Sequence, residues 1–256
     1  MAEALAGGLV AAGLPPQHIR VADPDATRRK HLVEQLGLAT TSHNAEAVEG
    51  ADAVVIAVKP GVVATALREL GGDGPGPLWI SIAAGIPLVS LAAPLPAGAR
   101  IVRAMPNTPA LVGAGATAIC GNSQTSRQDL ELATALFQSV GTCWTAPSEA
   151  LLDAVTGLSG SGPAYVFLFL EALADAGVRV GLPREAAAQL ASQTVLGAAK
   201  LAIETGRHPA ALKDQVTSPG GTTIAGLERL EAGGLRAAVY EAVAAATARS
   251  RELAGG

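Results

Sequence analysis

Residues 51–70, ADAVVIAVKPGVVATALREL, carry the reading that decides the fold. The first half, ADAVVIAVKP, is an apolar run ended by Pro60, and it has no polar face to turn toward water. Such a run predicts a strand buried on both sides. The second half, VVATALREL, changes to helical spacing. The same alternation runs outward in both directions. Upstream, IRVAD (19–23) is a short apolar run ending at Asp23, and ATRRKHLVEQLG (26–37) is helical with Gly37 as its stop. Downstream come a strand in PLWISIAAG (77–85), a short helix near LVSLAA (88–93) and a strand in RIVRAMPN (100–107). Strands apolar on both faces, alternating with helices, describe a doubly wound α/β fold around a parallel sheet.

Near Ala146 the pattern changes. SEALLDAVTGL (148–158), GPAYVFLFLEALADAGVRVG (162–181), REAAAQLASQTVLGAAKLAIETG (184–206) and GLRAAVYEAVAAATARSREL (234–253) are alanine-rich and helix-periodic, with almost no strand signal between them. The chain therefore divides into an α/β domain, 1–146, and an all-helical domain, 147–256. Val166, Phe167, Leu168, Phe169 and Leu170 follow one another directly, which a single apolar stripe on a helix does not explain. Burial against a second copy explains it, as does a monomeric bundle with one central buried helix.

Composition sets the outer limits. With 256 residues, 49% of them hydrophobic, the chain can bury a large core and is too apolar for disorder. A net charge of -4 and an aromatic content of 3% argue against nucleic acid as a partner. Cys120 and Cys143 form neither a disulfide framework nor a C-x-x-C pair, which fits a reducing cytoplasm. Residues 74–99 carry no charge, but prolines and glycines break them into pieces too short to span a bilayer. The N-terminal MAEALAGGLVAAGL has an acid where an export signal has a basic leader. His18, His31, His43 and His208 are scattered without metal-ligand spacing, so no metal is expected.

A dinucleotide-binding sheet opens with a strand, then G-x-G-x-x-G, then a helix whose start holds the pyrophosphate. Met1 to Leu14 reads as that helix, with neither strand nor fingerprint before it. The expectation is a sheet lacking its first strand, through a start assigned too late or in a chain that binds its cofactor poorly. Later signals of a cofactor site persist. Asp23 ends a strand where a carboxylate would bond a ribose, while Arg28 and Arg29 would instead neutralise a 2'-phosphate. An Asx-type turn at Asp23-Pro24 is the structural alternative. The segments 57–60, 83–85 and 105–109 end strands where open α/β sheets bind ligands.

In the helical half, DQVTSPGGTTIAGLERLE (214–231) sets hydroxyls and glycines before a helix. Ser218 or Thr222 is a candidate cap, Gly220 and Gly221 let a ligand approach the backbone, and the first-turn N–H groups favour an anion. An ordinary capped turn explains the stretch equally well. In GLSGSGPAY (157–165), Gly160, Gly162 and Pro163 are expected to stop one helix and start another with Ser161 as N-cap.

Taken together, RAMPNTPALVGAGAT, GLSGSGPAYVFLFLEALADA, GAAKLAIETGRHPAALKDQVTSPGGTTIAGLERLE and the closing SREL resemble the pyrroline-5-carboxylate reductases, across essentially the whole chain. In that family a strand and G-x-G-N run directly into the position of Met1. The resemblance implies reduction of the cyclic imine 1-pyrroline-5-carboxylate to L-proline by NADPH, sometimes NADH. It implies a Rossmann domain followed by a helical dimerisation domain that interleaves with a second subunit, in homodimers or rings of dimers. Carried over residue by residue, Asn44, Ala57, Val58, Lys59, Pro60, Ala83, Ala84 and Gly85 would line the cofactor, with Asp23 and Arg28 at its ribose and Asn107 near the nicotinamide. Ser218, Gly220, Gly221, Thr222 and Thr223 would hold substrate with Glu149 beside it, and Thr223 would orient the ring nitrogen and relay a proton. Two other readings remain open here: a related imine or β-hydroxyacid dehydrogenase, for which Lys200 is the tempting acid, and a non-catalytic relative that pairs through its helices.

Overall fold

The computed structural model describes residues 1–70 and 76–255. The chain forms two compact units, Met1–Ser161 with Ala244–Gly256, and Gly162–Val243. In the first unit the elements run α1 (Ala2–Ala11), β1 (Arg20–Ala22), α2 (Ala26–Leu36), β2 (Ala39–Thr41), α3 (Asn44–Val48), β3 (Ala53–Ile56) and α4 (Pro60–Arg68). They continue as β4 (Leu78–Ser81), α5 (Leu88–Ala92), β5 (Ile101–Met105), β6 (Gly115–Gly121), α6 (Arg127–Gln138), β7 (Gly141–Thr145) and α7 (Leu151–Val155). A single π-helical turn, Thr156–Gly160, ends this run.

Strands β3, β4 and β5 are parallel, as the alternating pattern requires. The expectation of a wholly parallel sheet needs one correction: β6 runs antiparallel to β5, and β7 runs parallel to β6. Residues 106–114, which hold a short 3-10 segment at Thr108–Val112, are too few for a crossover, so the chain turns back on itself. The strands also form two sheets, β1-β2 and β3-β4-β5-β6-β7.

Both faces of the larger sheet are covered. On one, Leu5 of α1 and Ala133 and Phe137 of α6 pack on Leu78, Ile80, Val102 and Ile119. On the other, Val63 and Leu67 of α4, Leu88 and Leu91 of α5 and Leu152 of α7 pack on Ile56, Trp79, Ile101, Ala118 and Cys120. Alternate residues of each strand serve opposite faces, the period-two pleat seen from both sides. Ala6 joins Leu32 and Leu38 beneath the small sheet. Because Ala146 and Leu152 belong to this core, and Ser250 donates to Asp153, the unit extends past the expected boundary at 146 and regains the chain at its end.

The second unit holds α8 (Gly162–Arg179), α9 (Arg184–Thr205), α10 (Pro209–Gln215), α11 (Thr222–Ala232) and the first part of α12 (Leu235–Gly255). Helices α8 and α9 pack closely at Gly177, where an added Cβ would lie 3.0 Å from the Cβ of Ala187. The residues buried in this unit are the alanines 174, 187 and 191, while Phe167 and Leu168 of α8 are 63% and 67% exposed. The monomeric bundle with a central buried helix is therefore not what forms. Among the described residues no helix is long and apolar enough to cross a membrane.

Candidate active site

Parallel pairing aligns Ile56 with Ser81 and Ser81 with Arg103, so β3, β4 and β5 end side by side at one edge of the sheet. The segments predicted to line a ligand therefore lie together there. Ala57, Val58, Lys59 and Pro60 leave β3 exposed and lead into α4. Ala83 is buried, Ala84 and Gly85 form a turn, and Gly85 takes a left-handed φ of 72°. At Ala57, Ala83, Ala84 and Gly85 no side chain exceeds a methyl group, and a Cβ at Gly61 would meet open space. The backbone is open to an extended ligand at Ala57, Gly61 and Ala84, whereas Ala83 is buried and Leu253 packs against Gly85.

At the end of β1 the Asx-turn alternative is realised. Asp23 Oδ1 accepts from the Asp25 N–H at 2.9 Å, and Asp25 in turn caps α2 through the N–H groups of Thr27 and Arg28. Arg28 lies between two carboxylates, 3.6 Å from Asp23 and 3.4 Å from Glu3. Arg29 is committed to the carbonyls of Asp23 and Pro24. Glu3 also bonds His31, which holds its carboxyl below the usual range. Asn44 begins α3 and reaches Glu69 at 3.3 Å.

Asn107 follows β5 and is 9% exposed. Its amide nitrogen donates to the Ser159 carbonyl at 3.0 Å and its oxygen accepts from the Ala116 N–H at 2.9 Å, so both ends are engaged inside the protein. The residue pins the π-helical turn to β6. That turn replaces the expected stop and restart: Ser161 keeps a right-handed helical conformation and its N–H bonds Thr156 O, so it is not an N-cap. Gly160 makes the close approach possible, since a Cβ there would come within 2.6 Å of Met105 Cε.

The 216–221 loop of the helical unit is built around its glycines. Gly220 has φ 67°, and the Gly221 N–H closes a turn onto the Ser218 carbonyl at 3.0 Å. A Cβ at Gly221 would lie 2.2 Å from Ser218 Oγ, so any other residue there would displace the Ser218 hydroxyl. Neither Ser218 nor Thr222 caps α11: the N-cap is Gly221, with no side-chain bond to the first turn. Those N–H groups remain available to an anion. The Thr205 hydroxyl bonds backward to the Leu201 carbonyl within α9, and the Thr217 hydroxyl, in the loop, bonds the Lys213 carbonyl of α10. Among the described residues the Thr223 hydroxyl has no such partner.

The carboxylate of Glu149 is engaged within its own unit. Oε1 accepts from Arg103 Nη1 at 2.8 Å and from the Leu88 N–H at 2.7 Å. Arg103, 5% exposed in the middle of β5, is the buried charge that pairs with it. Its signal was a charge interrupting the apolar run IVRAM. Both cysteines are free. Burial, reinforced by the charge of Glu149, pushes the Cys120 thiol up, and burial pushes Cys143 to about 11. Lys200 pairs with Glu204 on an exposed face of α9. Among the described residues no group of three or more His, Cys, Asp or Glu is placed to hold a metal ion.

The family model for pyrroline-5-carboxylate reductase dimerisation matches residues 149–253, and the model "NADP oxidoreductase coenzyme F420-dependent" matches residues 1–85. The pyrroline-5-carboxylate reductase of Synechocystis is 50% identical over 99% of the chain and 94% of that protein. Among solved structures, the Coxiella burnetii pyrroline-5-carboxylate reductase superposes with a TM-score of 0.94 at 39% identity, covering 98% of this chain and 94% of that one. The Plasmodium falciparum pyrroline carboxylate reductase, solved with NADP bound, gives 0.85 at 33% identity over 98% and 93%. The fold, the SPGGTT loop and these relatives together lead to one conclusion: the chain belongs to the pyrroline-5-carboxylate reductase family.

Proposed function

We propose that this chain reduces 1-pyrroline-5-carboxylate to L-proline with NADPH as hydride donor, NADH serving as a second donor. The observation that carries the reading is the uncapped mouth of α11, where Gly221 leaves first-turn N–H groups open beside an unengaged Thr223 hydroxyl. The substrate is a small ring with a carboxylate and a C=N bond. The first-turn N–H groups of Thr222 and Thr223, with Gly220 and Gly221 leaving room for the approach and the Ser218 and Thr222 hydroxyls aiding, take the carboxylate without an arginine, because the donors and the helix dipole both favour negative charge. Thr223 then bonds the ring nitrogen and relays a proton to it from water, since an alcohol is too weak an acid to supply one itself.

The alanine- and glycine-lined strand ends at 57–60 and 83–85 fit a dinucleotide, which needs close backbone approach along the edge of a sheet. When bound, it supplies the hydride that reduces the imine carbon. Asp23 and Arg28 serve its ribose end, Asn44 its flank, and Asn107 acts on the nicotinamide side by fixing the π-helical turn. We extend the reading to a homodimer formed through the helical unit, gathered into a ring of dimers, working in the cytoplasm.

The test is steady-state oxidation of NADPH with 1-pyrroline-5-carboxylate, set against a panel of β-hydroxyacids with the oxidised coenzyme. Turnover of the imine alone is expected. Thr223→Ala is expected to lower kcat by roughly 100-fold to 10,000-fold, with Thr223→Ser retaining most of it. Preference for a hydroxyacid, or a Thr223→Ala enzyme with unchanged kcat and KM, would overturn the assignment.

A further inference from the structure

We infer that Glu149, held by Arg103, is a positioning residue that keeps the 83–87 turn in the shape the coenzyme needs. This rests on the placement of the coenzyme at the strand ends. The turn is fixed at both its ends. On entry, the Ser81 hydroxyl, fully buried, accepts from the Ala83 N–H at 3.3 Å. On exit, the Leu88 N–H, the first of α5, donates to Glu149 Oε1 at 2.7 Å. Between them Ala84 is exposed, and the left-handed Gly85 lies against Leu253, whose Cβ is 3.6 Å from the place a Cβ would take.

Glu149 itself is placed by a charge the fold has no other use for. Arg103 points to the face of the sheet that also carries Ile101 and Cys120, among the apolar side chains of α4, α5 and α7. A guanidinium there is tolerable only if paired, and Glu149 is its partner, at 2.8 Å. The carboxylate thereby joins three separate pieces: β5, the start of α5 and the turn before α7. Released, the 83–87 segment would have to be ordered by the coenzyme on binding, and that ordering cost subtracts from affinity. The imine is gripped elsewhere, so its binding is independent of the clamp.

Glu149→Leu alone would strand a buried arginine, so the pair is replaced together. Arg103→Met with Glu149→Leu removes both charges and the acceptor, whereas Arg103→Met with Glu149→Gln keeps an oxygen for the Leu88 N–H. The readouts are NADPH Kd by nucleotide fluorescence, KM for the imine, and amide exchange at residues 83–88. The leucine variant is expected to raise the NADPH Kd by on the order of 10-fold and to speed exchange at 83–88, with the imine KM unchanged. The glutamine variant should stay within about 3-fold of the parent on both measures. A leucine variant with parental Kd and exchange overturns the clamp alone. Failure of the parent protein to bind NADPH overturns both this inference and the placement of the coenzyme.

Discussion

Gly221 shows one position fixed by two demands. Ser218 Oγ occupies the space where a side chain would begin, and the same residue must end as an uncapped helix start. A serine or alanine there would push Ser218 away and fill the approach to the first-turn N–H groups. Cys143 shows the opposite, a reactive group made inert by its surroundings. Burial raises its pKa to about 11, against a weaker opposing bond from Thr134. The thiolate is the nucleophile, so at pH 8 only on the order of one Cys143 thiol in a thousand is available. Alkylation of Cys143 by iodoacetamide, followed by peptide mass mapping, is expected to quicken about tenfold per pH unit and to level off only near pH 11. A plateau near pH 9 would show that the thiol is not desolvated.

At the scale of single elements, α6 illustrates how a helix start becomes a stability switch. Ser126 and Asp129 form a reciprocal capping box, and Asp129 also takes Arg100 Nη1 at 2.7 Å. Burial alone would raise the Asp129 pKa, but the bonds from Ser126 and Arg100 outweigh it and hold the carboxyl below its ordinary 3.8. A carboxylate with a lowered native pKa stabilises fully above the unfolded value and loses that contribution as pH falls through the native one. Asp129→Asn is therefore expected to cost about 1–3 kcal/mol at neutral pH by urea unfolding. The gap between parent and variant should close below pH 3.8. A constant gap down to pH 2 would assign the loss to packing instead. The π-helical turn is an element of another kind: Asn107 ties it to β6, and Gly160 lies where a Cβ would meet the Met105 side chain.

For the whole molecule, the exposed face of α8 is the dominant unsatisfied feature. Val166, Phe167, Leu168 and Phe169 are 43%, 63%, 67% and 40% exposed in a single chain. An apolar surface of this kind, in a region matched by a dimerisation model, is the surface on which a second copy is expected to pack. Phe167→Glu with Leu168→Glu is expected to sediment as a monomer at concentrations where the parent is a dimer. The parent's Tm should rise with protein concentration, and the variant's should be lower by at least about 5 °C and independent of it. A dimeric double variant would place the interface on other helices.

The linear pattern alone determined the parallel β3-β4-β5 core, the helical second half and the SPGGTT loop, because buried strands, helix periods and obligatory glycines are local properties of the chain. It left β6, α6 and β7 unread, although Ser126 and Asp129 carried a capping signal. It also could not show that β6 reverses direction, since that depends on how far residues 106–114 can reach. The division of labour among the polar residues was decided only by tertiary structure. Asn107 holds a helical turn, Glu149 accepts from Arg103 and the first N–H of α5, and Asp23 closes an Asx turn. A side chain's role is set by which donors and acceptors come within bonding distance of it. Partners such as Arg103 and Leu88 lie far from Glu149 in the chain and meet it only when the sheet and its helices close around them.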